Sequence, residues 1–203
     1  NSKVEKILQK DSFYEVLING YTVKTKKIVL ATHYPYFLKP FLFPFKNHVE
    51  TSYIAAKKVD DPIHVNAINI DDEVISLRYY QDYLIYLFHS EIASKRSSLK
   101  KRFEPFSSWD YAWTNKDVLT NDYLPFVGSF SKQDDSFLFL GGYGTWGFSN
   151  AVIGSVIIRD LLFHKPNSYI SLFAPYRSLK GGRLLTDAFC TGQALFKSGK
   201  NNV

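Results

Sequence analysis

Methionine is absent from the 203 residues, and cysteine occurs once, at Cys190. A single thiol excludes an internal disulfide and gives no reason to place the chain in an oxidising compartment, so a cytoplasmic setting is expected. A chain of this size that starts at Asn1 and lacks methionine reads as an internal or C-terminal piece of a longer protein, or as a sequence from which residues are missing. Long hydrophobic runs are also lacking. The aromatic stretch FLKPFLFPF is broken by Pro40 and Pro44, which excludes a membrane-spanning helix, and no signal peptide is present. Charge of one sign is only mildly in excess, with 25 basic against 19 acidic residues and a net charge of +6 spread along the chain. The one dense basic run holds Lys95, Arg96, Lys100, Lys101 and Arg102, and its aromatics begin only afterwards, at Phe103. A nucleic-acid surface interleaves the two, so this run reads as a solvated helix face or loop, and neither nucleic acid nor membrane is expected as a partner. No set of metal ligands is assigned.

What is present is ample core material, 45% hydrophobic and 17% aromatic, enough for one domain or two small interleaved ones. The stretch around which the chain is organised begins at Phe137. Phe137 to Leu140 is a short apolar run that reads as a buried strand and stops at Gly141-Gly142. From Phe148 onward Phe148, Val152, Val156, Ile157 and Leu161 recur at helical spacing, so the glycine-rich turn opens a helix. Unpaired amides at a helix N-terminus and the helix dipole make a cradle for an anionic or electron-rich group. The string Gly142-x-Gly144-x-x-Gly147 matches the dinucleotide fingerprint, which would make the chain an NAD-dependent dehydrogenase. No carboxylate stands between Asp160 and Asp187 to hold a ribose, and the wide residues Tyr143 and Trp146 suit a flat ring better than a pyrophosphate. The bland alternative is a turn that merely needs glycine geometry, with Tyr143 and Trp146 as core packing.

The rest of the chain supplies a frame. Residues 13–18 and 21–26 alternate in polarity about Asn19-Gly20, the pair preferred in type I′ hairpins. Ile28 to Ala31 reads as a strand buried on both faces, ending at Thr32 and His33. Ligands gather at the carboxyl ends of such strands, so both are candidate contacts, although His33 could equally cap a turn. SYIAAKKV at 52–59, EVISLR at 73–78 and YLIYLF at 83–88 read as strands, the last two consecutive and antiparallel. Arg78 could bind a substrate carboxylate or face solvent. Tyr123 to Gly128 reads as a strand entered through an acidic turn, His164 to Asn167 ends the central helix, and 183–196 is weakly helical.

Taken in order, Trp113-x-x-x-Asp117, Asp122-x-Leu124-Pro125-x-x-Gly128, Gly141-Gly142-Tyr143-Gly144-Thr145-Trp146-Gly147 and Pro175-x-Arg177 resemble the C-terminal portion of the FAD-dependent amine and amino-acid oxidoreductases, the superfamily of D-amino-acid, glycine and sarcosine oxidases. Ile28 to Pro35 is similar to the strand by which that family returns to its FAD domain. The resemblance implies that the loop Gly142, Tyr143, Gly144, Thr145, Trp146 and Gly147, with Thr32 and His33, contacts FAD, the amides around Gly144 to Gly147 facing the electron-accepting end of the flavin. It also implies hydride transfer from the carbon beside a substrate amine. Asn115 stands where the covalent-flavin branch carries cysteine, so the resemblance implies noncovalent FAD; Phe148 stands where sarcosine-oxidase-like members carry lysine, which puts an ordinary N-methyl amino acid in doubt. Some relatives carry a Rieske domain, whose cluster needs two thiolates that one cysteine cannot supply.

The expected architecture is α/β. An incomplete FAD-binding, Rossmann-like domain comprises residues 1–38 and 119–203, and a mostly antiparallel substrate-binding domain, 39–118, is inserted into it. The implied partners are a small amine or amino-acid substrate and the missing N-terminal segment of the same protein, which would hold the ADP half of FAD. No catalytic residue is assigned. A noncatalytic basic interaction module is the remaining alternative.

Overall fold

The computed structural model describes residues 2–33, 46–63, 65–70, 73–90, 101 and 108–178. Most of the basic run at 95–102 and the weakly helical stretch at 183–196 lie outside the described residues. The chain divides into two compact units, Asn1–His48 with Val118–Val203 and, separately, Val49–Asp117.

In the first unit, β1 (Val4–Gln9), β2 (Tyr14–Ile18) and β3 (Tyr21–Thr25) form an antiparallel sheet. Asn19 and Gly20 turn between β2 and β3 with φ of 49° and 82°, the paired positive values of a type I′ turn. A second sheet has the order β10-β11-β4, from β4 (Ile28–Leu30), β10 (Phe126–Ser129) and β11 (Phe137–Gly141). Within it β4 runs parallel to β11, and β10 runs antiparallel to β11. The strand expected to be buried on both faces differs in one respect: β4 is an edge strand among the described residues, and Val29 is 40% exposed.

Strand alternation divides the core of this unit. Phe126, Phe139 and Leu30 point to one face, where Ile7 of β1 and Phe137 pack on them, and Tyr14 bonds Ser136 at 2.8 Å. Val127 and Leu138 point to the other, against Ile157 and Ile158 of α1 (Gly147–Leu162) and Ile170 of α2 (Ile170–Phe173). Phe126, Val127, Leu138 and Phe139 are fully buried, worth about 1.5–3 kcal/mol each. The helical spacing read from Phe148 holds, but it does not mark the buried face. Gly154, Ile157, Ile158 and Asp160 are buried, while Phe148, Val152 and Val156 are 97%, 66% and 39% exposed. The helix ends at Leu162, and Asn167 reaches back to Asp160 at 2.8 Å.

The second unit is built on a five-stranded sheet ordered β6-β7-β8-β5-β9, from β5 (Asn47–Lys58), β6 (Ala67–Ile68), β7 (Glu73–Tyr80), β8 (Tyr83–Ser90) and β9 (Tyr111–Thr120). The β6–β7, β7–β8 and β8–β5 pairs are antiparallel, which is the mostly antiparallel character expected. Asn47 and His48 of β5 and Val118 to Thr120 of β9 belong to the first unit.

Candidate flavin-binding loop

The loop between β11 and α1 is shaped by three constraints. Gly142 has φ of 70°, and a Cβ there would stand 2.6 Å from Thr120 Cγ2 and 3.3 Å from Asn47 Oδ1, so the turn rests directly on buried side chains. Gly144 has φ of 56°, and its amide donates to Val118 O at 2.8 Å. Asn150 closes the turn from the helix side, its Nδ2 donating to Tyr143 O at 3.1 Å. The Trp146 amide donates to that same carbonyl at 3.1 Å.

Two of the amides expected to face a ligand, Gly144 and Trp146, are therefore used within the loop. Among the described residues those of Thr145, Gly147, Phe148 and Ser149 have no acceptor, as the first turn of a helix requires. The N-cap is Trp146, with no capping side chain, and the first turn has no acidic residue. Negative charge placed ahead of the helix meets the favourable end of its dipole without competition. A Cβ added at Gly147 would meet nothing within 4 Å, and Trp146 is 67% exposed. The apex of the turn is open, and Trp146 is not core packing.

Tyr143 behaves differently from its neighbours. Its hydroxyl lies 3.2 Å from where a Cβ on Gly154 would be, so the ring points at the body of α1 and only its backbone belongs to the mouth of the loop. The hydroxyl is buried without a hydrogen bond, and burial pushes the phenol up to about 12. Tyr143→Phe removes that unsatisfied group and should leave stability unchanged or raise it by about 1 kcal/mol, measured by denaturant unfolding.

Thr32 and His33 follow β4, and the His33 carbonyl would stand 3.1 Å from a Cβ on Gly141. The carboxyl ends of the parallel pair β4 and β11 thus converge beside the glycine loop, with His33 at φ of 64°. Arg78 belongs to the second unit, exposed on β7, opposite Ile85. Sequence reasoning passed over Asn121, one residue beyond Thr120, whose carboxamide is buried with neither atom paired. A single Asn between two motif residues gives no signal of that in the sequence.

The remaining motif residues form a clamp. Arg177 Nε and Nη2 grip Asp122 at 2.8 and 2.7 Å, and the guanidinium also donates to the carbonyls of Pro125, Phe173 and Leu124. It stacks on the Phe126 ring at 3.9 Å. Gly128 has φ of 121°, with Leu161 3.3 Å from where its Cβ would be, which lets β10 approach α1. Asp122, Pro125, Gly128 and Arg177 tie the C-terminal part together through β10, α1 and the end of α2.

This arrangement defines a class of fold: in one unit a parallel strand pair, a glycine turn and an open helix N-terminus, and in the other a mostly antiparallel sheet. The same fold is found over about half the length of several solved amino-acid oxidases. Glycine oxidase from Geobacillus kaustophilus superposes with a TM-score of 0.68 at 12% identity, over 88% of this chain and 53% of its own. L-proline dehydrogenase from P. horikoshii gives 0.67 at 14%, over 87% and 53%. NikD, an unusual amino acid oxidase essential for nikkomycin biosynthesis, gives 0.65 at 17%, over 88% and 55%. By sequence the chain is similar to a Bacillus subtilis (strain 168) protein, YhfW, whose name describes a Rieske 2Fe-2S iron-sulfur protein. The two are 24% identical over 173 residues, 77% of this chain and 34% of that protein. The chain thus spans about half the length of those solved structures and about a third of the Bacillus relative. No protein-family model matches it. Among the described residues no helix is long and apolar enough to cross a membrane.

Proposed function

We propose that this chain is the ring-binding side of an FAD-dependent oxidoreductase acting on the C–N bond of an amine or amino acid. The observation that carries this reading is the open turn at Gly147, with its unpaired amides, on a fold shared with glycine oxidase, L-proline dehydrogenase and NikD. Noncovalently bound flavin supplies the acceptor for a hydride from the carbon beside the substrate nitrogen.

The chain's own residues do the rest. The amides of Thr145, Gly147, Phe148 and Ser149, backed by the dipole of α1, stabilise negative charge gained on reduction. Gly142 keeps the turn low against Thr120, and Thr32 and His33 edge the same mouth from β4. Tyr143, its phenol pushed up to about 12, holds its proton at neutral pH and positions the turn instead of exchanging protons. The ADP half of FAD is assigned to the remainder of a longer protein, and the exposed apolar stripe Phe148, Val152 and Val156 and the edge of β4, unpaired among the described residues, suit cover by such a segment. The name of the Bacillus relative brings in an iron–sulfur cluster, but Rieske ligation needs two cysteines and this chain has one. Such a cluster would be held outside these residues.

The test is the visible spectrum of the full-length protein. It should show flavin that denaturation releases and that an amine or amino acid bleaches in the absence of oxygen. A full-length protein that stays colourless when FAD is added would contradict the proposal.

A further inference from the structure

We propose that the sheet of the second unit holds a binding site for a protonated amine, anchored on Asp117. Asp117 is 6% exposed, and its hydrogen-bond partners among the described residues are both neutral: the Ser52 hydroxyl and, at 2.9 Å, Asn115 Nδ2. A carboxylate withdrawn from water is costly unless a cation faces it, and among the described residues Asp117 is paired with none. Arg78 cannot serve. The register Arg78↔Ile85 and Ile85↔Ala56 places it in the row of Ala56, four residues along β5 from Ser52, roughly 13 Å away along the strand.

A second, independent group points to the same place. His89 is 5% exposed, and its Nδ1 is buried without a partner. Because Ile54 pairs with Leu87 and side chains alternate, His89 and Ser52 share one face of the sheet. Ser52 is on the middle strand of the order β8-β5-β9, so Asp117 and His89 flank it about 10 Å apart, two strand spacings. Glu50, 2% exposed, lies on the same face two residues along.

The groups on this face thus suit a ligand that is cationic and donates hydrogen bonds. Its ammonium would bond Asp117, and a second polar substituent would reach His89. Ile54, Ala56, Leu87 and Ile85 continue the face and would line a hydrocarbon portion. Asn115 is exposed, which leaves Asp117 one hydrogen bond from solvent and marks the entry. The ligand class is a primary or secondary amine for which a carboxylate is not the anchoring group. Naming that amine as substrate rests on the flavin reading; the binding itself does not.

The experiment is calorimetric titration of the full-length protein with benzylammonium chloride and with benzoate, two probes of similar shape and opposite charge. Benzylammonium should bind, and benzoate should bind at least roughly tenfold more weakly, since a charge-assisted bond to Asp117 is available only to the first. Asp117→Asn, which keeps the shape of the side chain, should weaken benzylammonium by roughly tenfold or more and leave the visible flavin absorbance as it is. Benzoate binding as tightly as benzylammonium, or Asp117→Asn binding benzylammonium as the unmodified protein does, would overturn the proposal. If the variant does not fold, the pair of probes on the unmodified protein decides it. Loss of the flavin reading would appear separately, as a colourless protein that still binds benzylammonium.

Discussion

Gly142→Ala is expected to lower Tm by roughly 10 °C and to abolish flavin retention. Two costs combine. A left-handed backbone conformation, here φ of 70°, costs an L-residue about 1–2 kcal/mol. The new methyl would also lie 2.6 Å from Thr120 Cγ2, and Thr120 is 2% exposed with its hydroxyl committed to Leu124 O at 2.8 Å, so it has nowhere to go. Overpacking of this kind costs about 1–3 kcal/mol. The two contributions can be separated. Thr120→Ser removes Cγ2 and keeps the hydroxyl, so the double variant should recover the overpacking share and none of the backbone share. A double variant no more stable than Gly142→Ala alone would show that the contact with Thr120 is not the reason the turn needs glycine.

The second large effect is at the clamp. Arg177→Ala should cost roughly 3–5 kcal/mol, because it strands Asp122, removes the side-chain donor to the carbonyls of Pro125 and Phe173, and leaves that of Leu124 to the Thr120 hydroxyl alone. Arg177→Lys should not restore it, since one ammonium cannot reproduce the paired grip on Asp122 together with the stacking on Phe126. The same pair sets an acid limit. Burial pushes the Asp122 carboxyl up, but the hydrogen bond and charge of Arg177, with the Leu124 amide, outweigh it and hold the group below the usual carboxylate range. A depressed folded-state pKa means that the stabilisation is complete above the unfolded value, about pH 4, and is lost as pH falls through the folded value. Asp122→Asn should be less stable at neutral pH and lose less stability than the unmodified protein through that acid window, the remaining loss resting with Asp135 and Asp160, which their own partners also hold low. An equal acid dependence in the variant and the unmodified protein would remove Asp122 as its source.

Much of the frame was legible because its signals are local. Asn19-Gly20 carries the hairpin in two residues, and Gly141 to Gly147 carries the strand, turn and helix in order. What escaped reading is what burial does not pattern. In β1 every residue is exposed or half-buried, so the strand owes its place to pairing with β2 and leaves no apolar alternation. In β9 six exposed residues are followed by four buried ones, so its period of two is lost. The helical spacing of Phe148, Val152 and Val156 was visible, but which face they occupy was not, since apolar residues on an exposed face and on a core face look alike in sequence. The loop's glycines could be named from the string. That Tyr143 turns inward, and that Gly144 and Trp146 spend their amides inside the turn, depends on contacts with Gly154, Val118 and Asn150. Ser52, His89 and Asp117 come from three strands, and only sheet order and register bring them to one face.

The central claim, that the turn ahead of Phe148 receives the flavin ring, is tested most directly by Gly147→Leu. Gly147 has no positive φ, a Cβ there meets nothing within 4 Å and the residue is exposed, so the variant should melt within roughly 2 °C of the unmodified protein, a surface-sized effect. The leucine would occupy the mouth of the turn, and visible flavin absorbance, measured on equal amounts of folded full-length protein, should be lost. A folded variant that keeps its full complement of flavin would contradict the account.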